Sequence, residues 1–446
     1  MSPEPFFGTD GIRGRAGEGA LSPDNLRRIG RAIAAFAREK VATSPRVFVG
    51  RDTRPSGPAL LAGVAEGLGA EGVPVEDGGV LPTPAVAWWS AGGGCDVGVA
   101  LTASHNPVRD NGIKVFLPGG RKTSPEEERD LDARIRAAAP SGAPATVRAR
   151  ADVADRYVDA VVAMLAGGGR LDGLRLVVDC ANGATQATAP RVLRALGAAV
   201  ETPVGSDAAG AINDRCGTES PAAWLEAVRA RGADGGLAFD GDGDRVLVAD
   251  ETATVLDGDP VLHLLAVDLD ARDALVGRRV VATMMSNFGL EQALHARGIA
   301  LDRVDVGDRF VAARMRETGA SLGGEQSGHV VLRWGEALLG DGTVAGVAAL
   351  QAARRRGVAL SRCRAEVPRC PQVLRNVRVE RKVPFAEVPP FVAAMDVERR
   401  ALQGRGRVYV RYSGTEPVLR IMVEGPDPDE VAGAVARLER AAAAIR

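Results

Sequence analysis

A succession of strand, small-residue loop, helix, glycine and strand recurs three times along this 446-residue chain. The copies begin at residue 46 with RVFVGRDTRPSG, at residue 174 with LRLVVDCANGAT, and at residue 278 with RRVVATMMSNFG. Strands that alternate with helices predict parallel sheets covered by helices. The glycines that follow the three helices, Gly72, Gly197 and Gly298, are expected to be left-handed C-caps. The repeat therefore predicts three related α/β domains.

The last part of the chain has a different pattern. VLRNVRVERK predicts a strand, and the following helix is expected to be interrupted near Pro389 and Pro390. Two further strands flank the loop in RVYVRYSGTEPVLRIMVEG, and a closing helix follows. This order predicts a small α+β domain. The expected domains are 1–150, 151–250, 251–366 and 367–446.

The composition describes a globular protein, with 46% hydrophobic and 25% charged residues and a net charge of −1. This balance gives no reason to expect nucleic acid or an anionic membrane as a partner. No 18-residue apolar stretch or apolar leader is present, so we expect a cytoplasmic location. The cysteines form no CxxC pair and are expected to be reduced thiols: Cys95, Cys180, Cys216, Cys363 and Cys370.

The segment FDGDGDRVLV contains three aspartates that alternate with glycines: Asp240, Asp242 and Asp244. In an extended loop all three carboxylates can point the same way, and a hard divalent cation relieves their repulsion. An EF-hand loop is excluded because Arg245 stands where that loop needs glycine. The remaining alternative is a solvated acidic turn. The pattern favours a Mg²⁺ or Ca²⁺ site.

The segment VGVALTASHNP places Ser104 and His105 on a loop behind a strand. Only four lysines and four histidines accompany 52 arginines, yet His105 and Lys114 both lie close to this loop. A Ser-His pair alone is not a catalytic signature, and a turn capped by Ser104 and Asn106 is the simpler interpretation of these residues. Lysine can exchange a proton if burial and nearby positive charge lower its pKa, whereas arginine cannot.

Three more segments carry groups suited to a phosphosugar. VRYSGTEPVLR and FFGTDGIRGR combine hydroxyls, arginines and tight glycines, which are the parts of a phosphate-binding loop. Each could equally be a hairpin with arginines at its edge. In GGEQSGHVV, Glu325, Ser327 and His329 can bind hydroxyl groups, although an ordinary polar turn has the same composition.

Together these motifs resemble the α-D-phosphohexomutase superfamily over essentially the whole chain. TASHNP resembles its phosphoserine loop, DGDGDR its metal loop, GEQSGH its sugar loop and RYSGTEP its phosphate loop, in the family's order. FGTDGIRG, VDCANGAT, MMSNFGLE and VGDRF also resemble family signatures. The chain departs from the family at Tyr412, where proline or lysine is more usual, so a change in loop stiffness is expected.

The resemblance implies four domains around a central cleft and a phosphosugar mutase with a phosphoserine at Ser104. It implies one Mg²⁺ per site on Ser104, Asp240, Asp242 and Asp244, although Mn²⁺ accepts the same ligands. Arg245 would bind the transferred phosphoryl group, and Lys114 or His105 would act as general acid and base. The implied substrate-binding residues are Thr9, Arg13, Gly307, Asp308, Arg309, Glu325, Ser327, His329, Arg411, Ser413, Gly414, Thr415 and Arg420.

Within the superfamily, Gln326 and the motif FGTDGIRG resemble the members that interconvert glucosamine 6-phosphate and glucosamine 1-phosphate, on the route to UDP-N-acetylglucosamine. A sugar 1,6-bisphosphate would be the intermediate and activator. The C-terminal domain, on a linker near 365–371, would be a mobile lid. The expected partner is a small phosphosugar, and the chain would be a monomer or homodimer. The alternatives are a glucose or mannose phosphate mutase, a Mg²⁺-dependent sugar phosphatase and a non-catalytic sugar-phosphate sensor.

Overall fold

The structure is a computed structural model that describes residues 5–8, 10–202, 211–413 and 417–445. Four sheets follow one another along the described chain. None of the helices in these ranges is both long and apolar enough to cross a membrane.

The first sheet has the strand order β1-β2-β6-β5-β3-β4-β8, with β7 paired to β6. Its strands β3, β4, β5 and β8 are parallel, and the others are antiparallel. The elements are β1 (Phe7–Gly8), β2 (Gly11–Arg15), α1 (Pro23–Lys40), β3 (Val47–Arg51), α2 (Gly57–Ala70), β4 (Val75–Val80), α3 (Thr83–Ala91), β5 (Val97–Leu101), β6 (Asp110–Leu117), β7 (Arg121–Lys122), α4 (Pro125–Ala137) and β8 (Val147–Ala149).

The second sheet has the order β10-β9-β11-β12-β13. Its elements are α5 (Asp152–Ala166), β9 (Arg175–Asp179), α6 (Ala189–Ala195), β10 (Ala199–Glu201), α7 (Ala222–Ala230), β11 (Gly235–Phe239), β12 (Val246–Ala249) and β13 (Val255–Leu256). Since β13 pairs with β12, this sheet continues past the expected domain boundary at residue 250. The chain turns back at 250–254 and completes the sheet before it enters the third domain.

The third sheet has the order β15-β14-β16-β17-β18. Its elements are α8 (Gly258–Asp270), β14 (Arg279–Thr283), α9 (Phe288–His295), β15 (Ala300–Val304), α10 (Asp308–Thr318), β16 (Leu322–Gly324), β17 (Val330–Trp334), β18 (Ala337–Gly340), α11 (Gly342–Arg356) and α12 (Leu360–Ala365). The three predicted strand–helix–strand copies are confirmed. Gly72, Gly197 and Gly298 have φ values of 67°, 102° and 68°, in the region that favours glycine. All three sheets are mixed rather than purely parallel, because each ends in antiparallel hairpins.

The fourth sheet is antiparallel, with the order β19-β21-β20. Its elements are β19 (Gln372–Arg378), α13 (Pro389–Ala401), β20 (Arg407–Tyr412), β21 (Val418–Glu424) and α14 (Pro428–Ala442). The expected interruption near Pro389 and Pro390 is confirmed, because the 3₁₀ turn Phe385–Glu387 ends at the non-helical Val388 and α13 begins at Pro389. These prolines begin α13, where a missing N–H costs no hydrogen bond. Short 3₁₀ helices lie at Gly19–Leu21, Ala184–Ala187, Val276–Arg278 and Phe385–Glu387.

The hydrophobic cores divide the chain into a large body and a separate C-terminal unit. One continuous core takes buried side chains from all three α/β domains, and a second core fills the other face of the first sheet. The C-terminal domain has a core of its own around Phe391, Ile421 and Leu438. The first three domains are therefore held together by shared apolar burial, which the C-terminal domain does not join.

Asp341 is a buried carboxyl group that joins the second and third domains. It accepts a hydrogen bond of 2.7 Å from the Tyr157 hydroxyl and caps α11 through the backbone N–H groups of Thr343 and Val344. Burial raises the pKa of Asp341 to about 6. The folded protein therefore binds a proton here that the unfolded chain has released, between about pH 4 and pH 6.

Asp341→Asn removes this titration and keeps the shape of the side chain. In that pH range the wild-type free energy of unfolding falls as pH rises, since unfolding releases the proton. We expect the free energy of unfolding of Asp341→Asn, minus that of wild type, to rise by up to about 3 kcal/mol from pH 4 to pH 7. Urea unfolding at a series of pH values measures this difference. A difference that does not change with pH would contradict the account.

Candidate active site

Loops from the first three sheets converge on one cleft. Ser104 follows β5, the three aspartates form the turn between β11 and β12, and 325–329 form the turn between β16 and β17. Each loop begins where a buried strand ends, so the positions of the loops are set by the packed sheets. The cleft has a volume of about 490 Å³ and is lined by residues that include Arg13, His105, Arg245, Gly307 and Glu325.

The carboxylates of Asp240, Asp242 and Asp244 are buried and offer oxygens within 4.8 Å of one another. Burial and the other two carboxylates raise the pKa of Asp240 well above its usual value. One oxygen each of Asp242 and Asp244 is buried without a hydrogen-bond partner among the described residues. Buried, unpartnered carboxylate oxygens that converge in this way fit the all-oxygen donor set of a hard divalent cation.

Ser104 lies directly against this acidic cluster. Its hydroxyl donates a hydrogen bond of 2.6 Å to Oδ2 of Asp240 and lies 3.2 Å from Nδ1 of His105. The backbone of Ser104 has a φ of 51°, which is uncommon for a residue other than glycine and is typical of functional loops. The predicted meeting of Ser104 with the aspartates, which are 136 or more residues away, is thus present in the structure.

Arg54 fixes the shape of the Ser104 loop and was not predicted from the sequence. Arg54 is 1% exposed, and its guanidinium pairs with Asp52 at 2.9 Å and donates to the backbone carbonyls of Ser104 and Asn106 at 2.9 and 2.8 Å. Asn213 of the second domain donates to the same two carbonyls. Two charged residues directly after a buried strand, in RVFVGRDTR, were the available signal.

Lys114 is buried in the same cluster. Its ammonium group lies 2.9 Å from Asp242, 3.0 Å from Asp244 and 3.0 Å from Asp10. Burial alone would lower the pKa of Lys114, but the three carboxylates outweigh burial and raise it well above its usual value. The condition stated for proton exchange by a lysine, a pKa lowered by burial and nearby positive charge, is not met here, because the groups closest to Lys114 are carboxylates.

Asp10 and Lys122 extend this cluster towards the third domain, and neither was identified from the sequence. Lys122 lies 2.6 Å from Asp10 and 2.8 Å from Asp308. His329 lies close to the same groups, 3.6 Å from Asp244 and 3.5 Å from Asp308. Lys122 is one of only four lysines, and this rarity, which pointed to Lys114, marks Lys122 equally.

The guanidinium of Arg245 lines the cleft beside His105. Its Nε is buried without a hydrogen-bond partner among the described residues, and its nearest carboxylate, Glu219, is 3.9 Å away. Burial lowers the pKa of Arg245, but Asp240 and Asp244 outweigh burial and raise it. Arg245 is therefore a fixed positive charge with free donors, which suits an anionic ligand.

Some of the predicted sugar-binding residues line the cleft and others do not. Glu325 lines the cleft and accepts a hydrogen bond of 3.0 Å from the Gly307 backbone N–H. Ser327 is exposed and does not line the cleft. Arg309 turns away and pairs with Glu128 at 2.8 Å. The amide of Gln326 also points elsewhere, to Asp259.

The described members of the predicted phosphate-binding set in the C-terminal domain, Arg411, Ser413 and Arg420, do not line the cleft. Arg411 and Arg420 lie opposite each other on β20 and β21, and neither makes an ion pair with a described residue. Two like charges placed opposite each other are unfavourable unless an anion lies between them. Ser413 is buried beside them and donates its backbone N–H to Val418. Thr9, Gly414 and Thr415 lie outside the described residues.

Tyr412 packs inside the C-terminal domain. Its ring stacks on Phe385 with centroids 5.0 Å apart, and its hydroxyl donates to the carbonyl of Val383 at 2.7 Å. The unusual residue of RYSGTEP is therefore accommodated by local packing, and its hydroxyl is used within the domain.

A serine hydrogen-bonded to a buried acidic cluster, beside a cleft arginine whose donors are free, is suited to binding and transferring phosphoryl groups. Family models for the phosphoglucomutase/phosphomannomutase alpha/beta/alpha domains I, II and III match residues 4–141, 155–254 and 257–370. The model for the C-terminal domain of the same family matches residues 374–441. The chain belongs to this family, within the α-D-phosphohexomutase superfamily.

Two curated relatives match nearly the full chain. A phosphoglucosamine mutase of Moorella thermoacetica is 44% identical over 450 residues, 99% of each chain. A phosphoglucosamine mutase of Ruegeria sp. (strain TM1040) is 45% identical over 427 residues, 95% of each chain. The crystal structure of a phosphoglucomutase/phosphomannomutase family protein from Burkholderia thailandensis matches with a TM-score of 0.80 and 28% identity, over 98% of this chain and 97% of that one.

Arg54→Lys tests the role of the buried guanidinium. Lysine keeps the charge beside Asp52 but cannot reach all of the carbonyls that Arg54 binds. We expect phosphosugar isomerisation to fall by about 100-fold, since displacing a reacting group by about 1 Å has effects of this size. Steady-state kinetics measure the rate, and thermal unfolding checks that the variant is folded. Turnover within twofold of wild type would remove Arg54 from this role.

Proposed function

We propose that this protein interconverts glucosamine 6-phosphate and glucosamine 1-phosphate through a phosphoserine at Ser104 and a 1,6-bisphosphate intermediate. The observation that carries the proposal is the hydrogen bond from the Ser104 hydroxyl to Asp240 inside the buried acidic cluster. The names of the full-length relatives support glucosamine phosphate as the substrate. The proposed location is the cytoplasm, which suits five cysteines that are all free.

The reaction consists of two phosphoryl transfers. In the first, the free hydroxyl oxygen of the sugar monophosphate forms a bond to the phosphorus on Ser104, and the bond from Oγ to phosphorus breaks. The hydroxyl proton passes to a base. In the second, the bisphosphate has reoriented, and Oγ of Ser104 attacks the other phosphate of the bisphosphate. The bond from that phosphorus to the sugar oxygen breaks, and the sugar oxygen regains a proton. The two steps restore the phosphoserine and release the isomer.

Ser104, Asp240, Asp242 and Asp244 would hold one Mg²⁺, which neutralises the charge of the phosphoryl group during transfer. Arg245 binds the same group through donors that no described carboxylate occupies at hydrogen-bond distance. His105 and Lys114 are the two candidates for proton exchange. Burial and then Arg245 lower the pKa of His105, so its ring is neutral near pH 7 and suited to accept a proton.

The remaining residues position the sugar. Glu325 lines the cleft and binds hydroxyls that both orientations of the bisphosphate present. Arg411, Ser413 and Arg420 bind the phosphate that is not reacting. They reach the cleft when the C-terminal domain closes on its linker, and closure excludes water that would otherwise accept the phosphoryl group. The separate core of that domain is consistent with such a movement.

³¹P NMR of the protein with Mg²⁺ and a trace of sugar 1,6-bisphosphate tests the proposal. Glucosamine, glucose and mannose 6-phosphates are supplied separately. We expect glucosamine phosphate to be converted fastest, and Ser104→Ala to lower the rate by at least about 1,000-fold. Faster conversion of glucose or mannose phosphate would change the substrate and keep the mechanism. Release of inorganic phosphate without isomerisation would indicate a phosphatase, and no reaction would leave a sensor.

Removal of divalent cations tests the acidic cluster. Three buried carboxylates without a cation repel an incoming phosphoryl group, so treatment with a chelator is expected to reduce turnover by at least about 100-fold. Added Mg²⁺ restores it, and Asp242→Asn weakens the restoration. Full turnover in the presence of the chelator would contradict the assignment of this cluster as a metal site.

A further inference from the structure

Asp259 is a buried acid outside the phosphate-binding machinery. It lies in the first turn of α8 and is 2% exposed. Its Oδ2 accepts two hydrogen bonds, one of 3.0 Å from the Gln326 side-chain amide and one of 2.8 Å from the Asn287 backbone N–H. Its Oδ1 is buried without a hydrogen-bond partner among the described residues. A single carboxylate oxygen therefore joins the sugar loop to the segment that begins α9.

The sugar loop is seated tightly against α8 at this point. The backbone N–H of Gly258 donates to the Gln326 carbonyl at 2.9 Å. A Cβ atom at Gly258 would lie 1.9 Å from the carbonyl oxygen of Glu325, so a larger residue there would displace the loop. Since Glu325 lines the cleft and Gln326 does not, a movement at Gln326 reaches the substrate through its neighbour.

The other partner of Asp259 connects to the C-terminal domain. The Asn287 side chain exchanges two hydrogen bonds with the backbone of Cys370, of 3.0 and 2.9 Å. Asn287 also donates to Glu424, a buried acid at the end of β21 that pairs with Arg407 at 2.6 Å. Cys370 lies within the linker at 365–371. Asn287 thus connects this linker and the C-terminal sheet to the third domain.

We propose that Asp259 is a positioning residue that couples the linker at 365–371 to the sugar loop. Gln326 then sets sugar preference through this coupling and does not touch the sugar itself. The inference rests on the proposed function for its choice of substrates. The geometry supports an indirect role, because the amide group of Gln326 is directed to Asp259 and away from the cleft, while the neighbouring Glu325 lines it.

The coupling is tested first by a double-mutant cycle on sugar preference, the ratio of kcat/KM for glucosamine 6-phosphate to that for glucose 6-phosphate. Asp259→Leu and Gln326→Leu each remove one partner of the hydrogen bond and are expected to change the ratio by about 10-fold. The double variant is expected to equal the larger single effect. Asp259→Asn, which keeps an acceptor oxygen, is the matched control and retains the wild-type ratio to within about twofold.

Additive effects in the cycle, or an unchanged ratio in both single variants, would overturn the proposal. If wild type prefers another sugar phosphate, the proposed substrate fails, and the same cycle is measured with the preferred sugar. A failure of the coupling is therefore distinct from a failure of the substrate assignment.

Hydrogen exchange gives a second test that does not depend on turnover. Asn287→Ala removes the side-chain hydrogen bonds to Cys370 in the linker at 365–371 and keeps the backbone N–H that donates to Asp259. We expect amide exchange in 325–329 to become at least about threefold faster in this variant. When Asp259→Leu is already present, Asn287→Ala is expected to have no further effect on 325–329. Unchanged exchange in the single Asn287→Ala variant, with a folded protein confirmed by thermal unfolding, would refute the coupling.

Discussion

Repulsion among three buried carboxylates is the constraint on which the rest of this site depends. Asp240, Asp242 and Asp244 converge in the interior, where like charges are costly unless positive charge and donors surround them. The first domain supplies much of that compensation through Lys114 and the hydroxyl of Thr83, which donates to Asp242 at 2.7 Å. The first domain, packed against the acidic loop of the second domain, therefore stabilises that loop.

The division of the cores suits the reaction that we propose. Three domains share apolar burial and keep the serine, the acidic cluster and the sugar loop in fixed relation. The C-terminal domain carries Arg411 and Arg420, opposite each other on neighbouring strands, has a core of its own, and contacts the third domain through polar groups at Asn287 and Glu424. Polar contacts can be exchanged at low cost, whereas shared apolar burial cannot. A bisphosphate that must reorient within the cleft needs a fixed catalytic side, formed by the first three domains, and a C-terminal domain that can move.

Features carried by local patterns could be predicted from the sequence. The repeated strands, the glycine caps, the serine loop and the aspartate turn all depend on neighbouring residues, and the structure has each of them where it was expected. Residues whose role comes from distant contacts were missed. Arg54 binds carbonyls more than 50 residues away, and Lys122 meets Asp10 of its own domain and Asp308 of the third domain. The local signals at these positions, charged residues after a buried strand and a rare lysine, do not show which distant groups they meet, and the carboxylates around Lys114 are likewise set by distant contacts.

The central claim is that Ser104 carries the phosphoryl group that the reaction exchanges. Peptide mass spectrometry of the protein after incubation with isotope-labelled sugar 1,6-bisphosphate and Mg²⁺ tests it most directly. The account predicts one labelled phosphoryl group on the peptide that contains Ser104, which unlabelled sugar phosphate then removes. Label on another residue, or label on Ser104 that sugar phosphate does not remove, would contradict it.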